Sequence, residues 1–261
     1  MKKYLFVLSA LVLLTFISCR KIAGEPITRY FSVDGTYTEL QVEDAFDVIV
    51  SDTATLITIT AGEYIMPNVV VETVDNTLKI YLKGWHTNRG TDMTVIMPYN
   101  ADLKKVDLSG ASEFHSEYGL YGEQIEVELS GASEFYCDIE ANEIDMSLSG
   151  ASNAEGTIDA SALDLDMSGA SDATLDGLVT TLDLDLSGAS SIKKTINGSN
   201  YGFECDVCKG EMSGASNAYI HCDGTIKVSL SGASDLHFTG TAFTGDSSTS
   251  GASDIIHDEL P

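Results

Sequence analysis

The chain has 261 residues, with 14 Lys and Arg against 40 Asp and Glu and a formal charge of −26. Such an acidic excess repels anionic partners and offers no basic footprint, which excludes nucleic acid and bare anionic lipid as ligands. The apolar share of 43% and the regular alternation of strand formers exclude a disordered acidic chain and leave ample material for one core.

The first residues read as an export signal. Lys2 and Lys3 precede an apolar run from Tyr4 to Leu14, and Phe16-Ile17-Ser18-Cys19 follows. The run is shorter than the roughly 20 residues of a membrane span. A small residue directly before a cysteine at the cleavage point resembles a bacterial lipobox. Residues 1–18 are therefore predicted to be a lipoprotein signal peptide, with Cys19 lipidated and residues 19–30 forming a tether. Acyl chains at Cys19 would hold the protein to a membrane, the outer membrane being expected, without inserting it. Either the periplasmic or the surface face is compatible. Loss of Lys2 and Lys3 leaves 12 basic against 40 acidic side chains, a charge of −28.

Residues 31–99 are strand-rich but irregular. Strands are predicted near 38–43, 46–51, 55–60, 69–74, 78–83 and 92–97, with breaks at Gly62, Pro67-Asn68, Asp75-Asn76 and Gly84 to Gly90. This part is expected to form either atypical opening coils or a cap. Trp85 and His86 lie in its breaker-rich loop. They are candidate binding residues, although a tryptophan covering the end of the core is the more ordinary reading.

From residue 100 to 261 a repeat takes over. Ser-Gly-Ala-Ser begins at Ser109, Ser130, Ser149, Ser168, Ser187, Ser213, Ser231 and Ser250, at intervals of 21, 19, 19, 19, 26, 18 and 19. Each motif follows a period-two apolar run, such as Ile125/Val127/Leu129 or Leu182/Leu184/Leu186. Nineteen residues at about 3.3 Å each would extend to about 63 Å, enough for one circuit of short strands and corners. The expected fold is all-β: a single-stranded parallel β-helix, or solenoid, expected to be right-handed, with coils of about 19 residues. Glycine would turn each corner, the serines would satisfy corner backbone groups, and Phe114, Phe135 and their equivalents would line the core. The 26-residue interval carries an excess of about seven residues, placed as a loop around Lys193 to Tyr201.

Stacking in register would create outward columns. One of them reads Glu126, Asp145, Asp164 and Asp183, with Asp166 and Asp185 two residues along their own strands. Like charges about 5 Å apart repel, and calcium, an oxygen-seeking ion, could bridge Glu126, Asp145, Asp164 and Asp183. The alternative is a solvated acidic wall. These six acids are the candidate binding residues of the coils. Cys137, Cys205, Cys208 and Cys222 permit disulfides in an exported protein. Cys205 to Cys222 spans close to one repeat and is the pair expected to bridge, unless the thiols simply stack in the core. No Gly-x-Ser-x-Gly elbow or singled-out carboxylate pair occurs, and the histidines form no close cluster in sequence. No catalytic residue and no cofactor beyond calcium is expected.

The leader, the segments Phe46-Asp47-Val48-Ile49-Val50 and Asn76-Thr77-Leu78-Lys79-Ile80, and the serial Leu-Ser-Gly-Ala-Ser repeats resemble the family described as putative auto-transporter adhesin, head GIN domain. The likeness covers about residues 30 to 261. It implies a β-helix-like domain over 31–261 in a Bacteroidetes cell-envelope protein, without naming an activity-bearing residue. No series of lipid-facing strands follows Pro261, so autotransport in the strict sense is not expected. The expected function is a non-catalytic structural or adhesive module, capable of self-association. The alternatives are a glycan- or protein-binding surface lipoprotein supporting nutrient capture and, further off, a polysaccharide-acting enzyme.

Overall fold

The computed structural model describes residues 24–33, 35–84, 92–193 and 203–259. Cys19, Trp85, His86 and the loop expected around 193–201, apart from Lys193, lie outside them.

The repeats stack as the spacing requires. β8 (Lys105–Leu108) and β9 (Glu113–His115) make the first repeat coil, following β1 to β7 of the irregular part: Pro26–Phe31, Glu39–Val42, Phe46–Ser51, Ile57–Gly62, Val69–Val74, Thr77–Leu82 and Met93–Pro98. β10 (Leu120–Leu129), β11 (Glu134–Tyr136), β12 (Ile139–Leu148), β13 (Asn153–Met167) and β14 (Asp172–Leu186) continue the stack. It ends with β15 (Ser191–Ile192), β16 (Phe203–Met212), β17 (Asn217–Leu230), β18 (Asp235–Thr239), β19 (Ser248–Thr249) and β20 (Asp254–His257). Every pairing among β8 to β20 is parallel, and partners within that set are one repeat apart, as in Val106↔Val127, Ile144↔Leu163, Leu163↔Leu182 and Leu182↔Cys208. The result is a β-solenoid of about 8 turns.

The corner chemistry explains the tetrapeptide. At Gly150 the backbone sits at φ +80°, and a Cβ there would lie 2.4 Å from the carbonyl oxygen of Gly131. That same oxygen accepts the Ala151 N–H at 2.7 Å. Glycine is thus needed twice over, for a left-handed turn and for the close stacking of one corner on the next. The last serine of each motif points inward: Ser152 is buried and donates to the Ser149 carbonyl at 2.9 Å. That bond closes the corner and satisfies a hydroxyl that would be costly to bury unpaired. The interior phase survives the turn, since Leu108, Ser112 and Phe114 are all fully buried. Phe114 and Phe135 stack with centroids 5.5 Å apart.

The N-terminal part is both coil and cap. β2 pairs in parallel with β6 and β8, and β3 with β7 and β9, so these strands extend the solenoid by further layers. Antiparallel pairings fold over that end: β1 with β4, β4 with β7, and the hairpin β5–β6. Asp75 (φ 50°) and Asn76 (φ 67°) turn the hairpin, in the left-handed region that a tight two-residue turn needs. One expectation is corrected here. Residues 26–31 belong to the sheet as β1, which takes in 26–30 of the stretch read as tether, because Pro26 to Phe31 register fully against Gly62 to Ile57. An edge strand in which only Ile27 and Phe31 are half-buried carries too short a pattern to stand out in the sequence. No helix among the described residues is long and apolar enough to cross a membrane.

Candidate functional site

The site grows from the junction between β3 and the first repeat coil. Val42-Glu43-Asp44-Ala45-Phe46 occupies the place that Leu108-Ser109-Gly110-Ala111-Ser112 takes one layer on. Asp44 stands where the repeats have glycine, at φ 78°, and its carbonyl accepts the Ala111 N–H at 2.7 Å. Its carboxylate accepts the Leu82 N–H at 2.7 Å, which ties the corner to the next layer. The strand leaving this corner is therefore fixed in register: Asp47 lies opposite Glu113 and Ile49 opposite His115. Alternation sends Val48 and Phe114 into the core and the other two pairs outward.

Asp47, Glu113 and His115 thus converge. One ligand atom from each lies within 4.8 Å of the others. His115 Nε2 is 3.1 Å from Glu113 Oε2 and 3.9 Å from Asp47 Oδ1. Asp47 Oδ1 is itself inaccessible to solvent and has no hydrogen-bond partner. Burial raises the pKa of this carboxyl; His115 opposes the shift, while Glu113 and Asp92 add to it. The imidazole is held flat against Tyr136, centroids 4.5 Å apart. Tyr136 in turn donates to Glu134, and burial followed by that carboxylate pushes its phenol up to about 12.

Beside these groups runs an open groove of about 690 Å³, bounded by Asp47, Ile49, His115, Glu117, Tyr118 and Tyr136 among others. Its far wall is built by the turn after β9. Ser116 Oγ donates to the Tyr118 carbonyl at 2.6 Å, and Tyr118 packs on Tyr99 at 5.3 Å. Two carboxylates, an imidazole and an aromatic wall can hold a cation or a hydroxyl-rich ligand.

The acidic column expected from the repeats is in register: Glu126↔Asp145, Asp145↔Asp164, Asp164↔Asp183 and Asp166↔Asp185. Lysines bracket it. Lys105 Nζ reaches Glu126 at 2.7 Å and Glu128 at 2.9 Å, and Lys209 reaches Asp183 at 2.7 Å. Gln124 donates to Asp145 at 2.9 Å. Burial pulls the Lys105 ammonium down, but its two glutamate hydrogen bonds outweigh that and raise its pKa. Asp164, in the middle, has a raised pKa through partial desolvation and then repulsion from Asp183, Asp145 and Asp166, against the pull of Lys209. Among the described residues the one set of three such groups with ligand atoms within 4.8 Å is Asp47, Glu113 and His115, not the column.

Cys205 and Cys222 are register partners on β16 and β17, both buried, as a cross-coil bridge would need. Cys137, Cys205, Cys208 and Cys222 are all thiols in this structure. The Asp47 cluster was missed by sequence reasoning, which looked for repeated columns. Aligning Glu43-Asp44-Ala45-Phe46 with Ser-Gly-Ala-Ser would have put Asp47 in the column of Glu113.

Several solved structures share this fold. A putative adhesin from Parabacteroides merdae superposes with a TM-score of 0.79 at 18% identity, over 90% of this chain and 97% of that one. A putative adhesin from Parabacteroides distasonis gives 0.72 at 20% identity, over 90% and 95%. A putative lipid binding protein from Parabacteroides distasonis gives 0.74 at 17% identity, over 90% and 98%. No curated protein matches the sequence. A family model matches residues 36–242, spanning the N-terminal layers and most of the repeat coils, and the chain belongs to that family, described as putative auto-transporter adhesin, head GIN domain.

Proposed function

We propose that the protein is a non-catalytic module of the cell envelope, anchored through lipidated Cys19, which works by surface contact with a glycan or an envelope protein. One observation carries this reading. Side chains of successive coils stand in straight outward columns, one step about every 4.8 Å, and over four coils one column repeats the same chemistry, Glu126, Asp145, Asp164 and Asp183, before Lys105 and Lys209 end it. A repeating wall suits an extended, repeating partner better than it suits one reaction at one point. The family's description as an adhesin head and the adhesin names of related folds support it. One related fold is named for lipid binding. Here a lipid would have to lie outside, because the coils fill their interior with Leu, Ile, Val, Met and Phe side chains.

The anchored half of the proposal is tested by metabolic labelling with radioactive palmitate. Wild-type protein is expected to take up label and sediment with membranes, and Cys19→Ala to do neither. Membrane retention and labelling of Cys19→Ala equal to wild type would contradict it.

A further inference from the structure

We propose that Asp47, Glu113 and His115 form a binding site for a divalent transition-metal ion of the zinc or manganese class, at the rim of the groove between β3 and the first repeat coil. The inference goes beyond the surface-contact reading and does not depend on it.

The geometry is that of a ligand set. Around a metal about 2.0–2.2 Å from each donor, neighbouring ligand atoms lie about 3–3.5 Å apart. The imidazole–glutamate separation of 3.1 Å already meets this, and the imidazole–aspartate separation of 3.9 Å needs only a small rotation. Each donor comes from a rigid strand in fixed register, not from a loop. The His115 ring is held by its stack on Tyr136, so it does not have to be ordered on binding. Asp47 Oδ1 is shielded from solvent without a hydrogen-bond partner, while the side chain as a whole is 43% exposed, and a bound cation would give that oxygen a partner.

The donor chemistry selects the ion. One neutral imidazole nitrogen with two carboxylate oxygens suits zinc or manganese, whereas calcium prefers six or more oxygens. The acids around the site, Asp92 and Glu117 besides the two ligands, set a negative field that favours any cation. Specificity must therefore come from the nitrogen. Three protein donors leave positions open toward the groove and its tyrosines, where water or an oxygen of a bound partner can complete the shell.

The competing account is a plain ion pair between a protonated His115 and its two carboxylates, with no metal. The full mature protein, stripped with a chelator, is titrated with zinc against a chromophoric zinc indicator, alongside His115→Ala, Glu113→Gln and Asp164→Asn. The expected result is one zinc per chain, weakened at least about tenfold by His115→Ala and by Glu113→Gln and unchanged by Asp164→Asn. These are surface side chains, and a circular-dichroism melt confirms that each variant is folded. Equal zinc affinity in wild type and His115→Ala would overturn the proposal, as would displacement of zinc by an equal concentration of calcium.

Discussion

A single corner glycine shows how tightly the coil is specified. Gly150 has both a left-handed φ of +80° and a neighbouring carbonyl 2.4 Å from where a Cβ would stand, whereas Gly35 has φ +91° with nothing within 4 Å. Alanine at Gly35 should cost only the backbone strain, about 1–2 kcal/mol. Alanine at Gly150 adds a clash with backbone that cannot swing aside, and should cost about 3 kcal/mol or more in total. Urea melts of the two variants check this; equal losses would mean that stacking distance does not govern the corner. The same residue scale explains what could be read in advance. Eight copies of Ser-Gly-Ala-Ser announce one geometry eight times. Asp47 and His115 lie 68 residues apart, and only a degenerate corner, Glu43-Asp44-Ala45-Phe46, places Asp47 in the column of Glu113.

Between elements, the acidic column is where charge works against the fold. Burial and the neighbouring aspartates raise the folded-state pKa of Asp164, so the native wall holds that proton more tightly than the unfolded chain does. Stability from this group is accordingly present at low pH and lost as pH rises through the carboxylate range. Asp164→Asn should stabilise the protein by on the order of 0.5 kcal/mol at neutral pH and low salt. The gain should vanish near pH 3 and shrink at about 1 M salt, where the Debye length falls to about 3 Å. Melting temperatures across pH and salt test this; a gain that persists at low pH would show that repulsion is not its source. Register was legible here because Glu126, Asp145, Asp164 and Asp183 recur at the repeat interval. β1 was not: its partner β4 lies about thirty residues on and pairs antiparallel, outside the repeat.

At the scale of the whole molecule, about 8 turns of solenoid at about 4.8 Å each make a wall roughly 38 Å long. The N-terminal layers add the antiparallel strands β1, β4 and β5, of which β4 and β5 pair with the outer edges of β7 and β6 and β1 extends β4. The period exposed the coils, but it could not show that the irregular N-terminal part both continues the stack and caps it. That depends on pairings such as Leu40↔Val106 and Val48↔Phe114, between a degenerate corner and a regular one. A wall that repeats its side chains should gain affinity from each added unit of a repeating partner, up to the length of the wall. The direct measurement is affinity of the mature protein for a series of glycan oligomers of one type, drawn from an array hit, with product release followed in the same samples. Affinity rising with oligomer length and levelling off within the roughly 40 Å of the wall, with the oligomers intact, is the predicted result. Affinity independent of length, or cleavage of the glycan, would contradict the account.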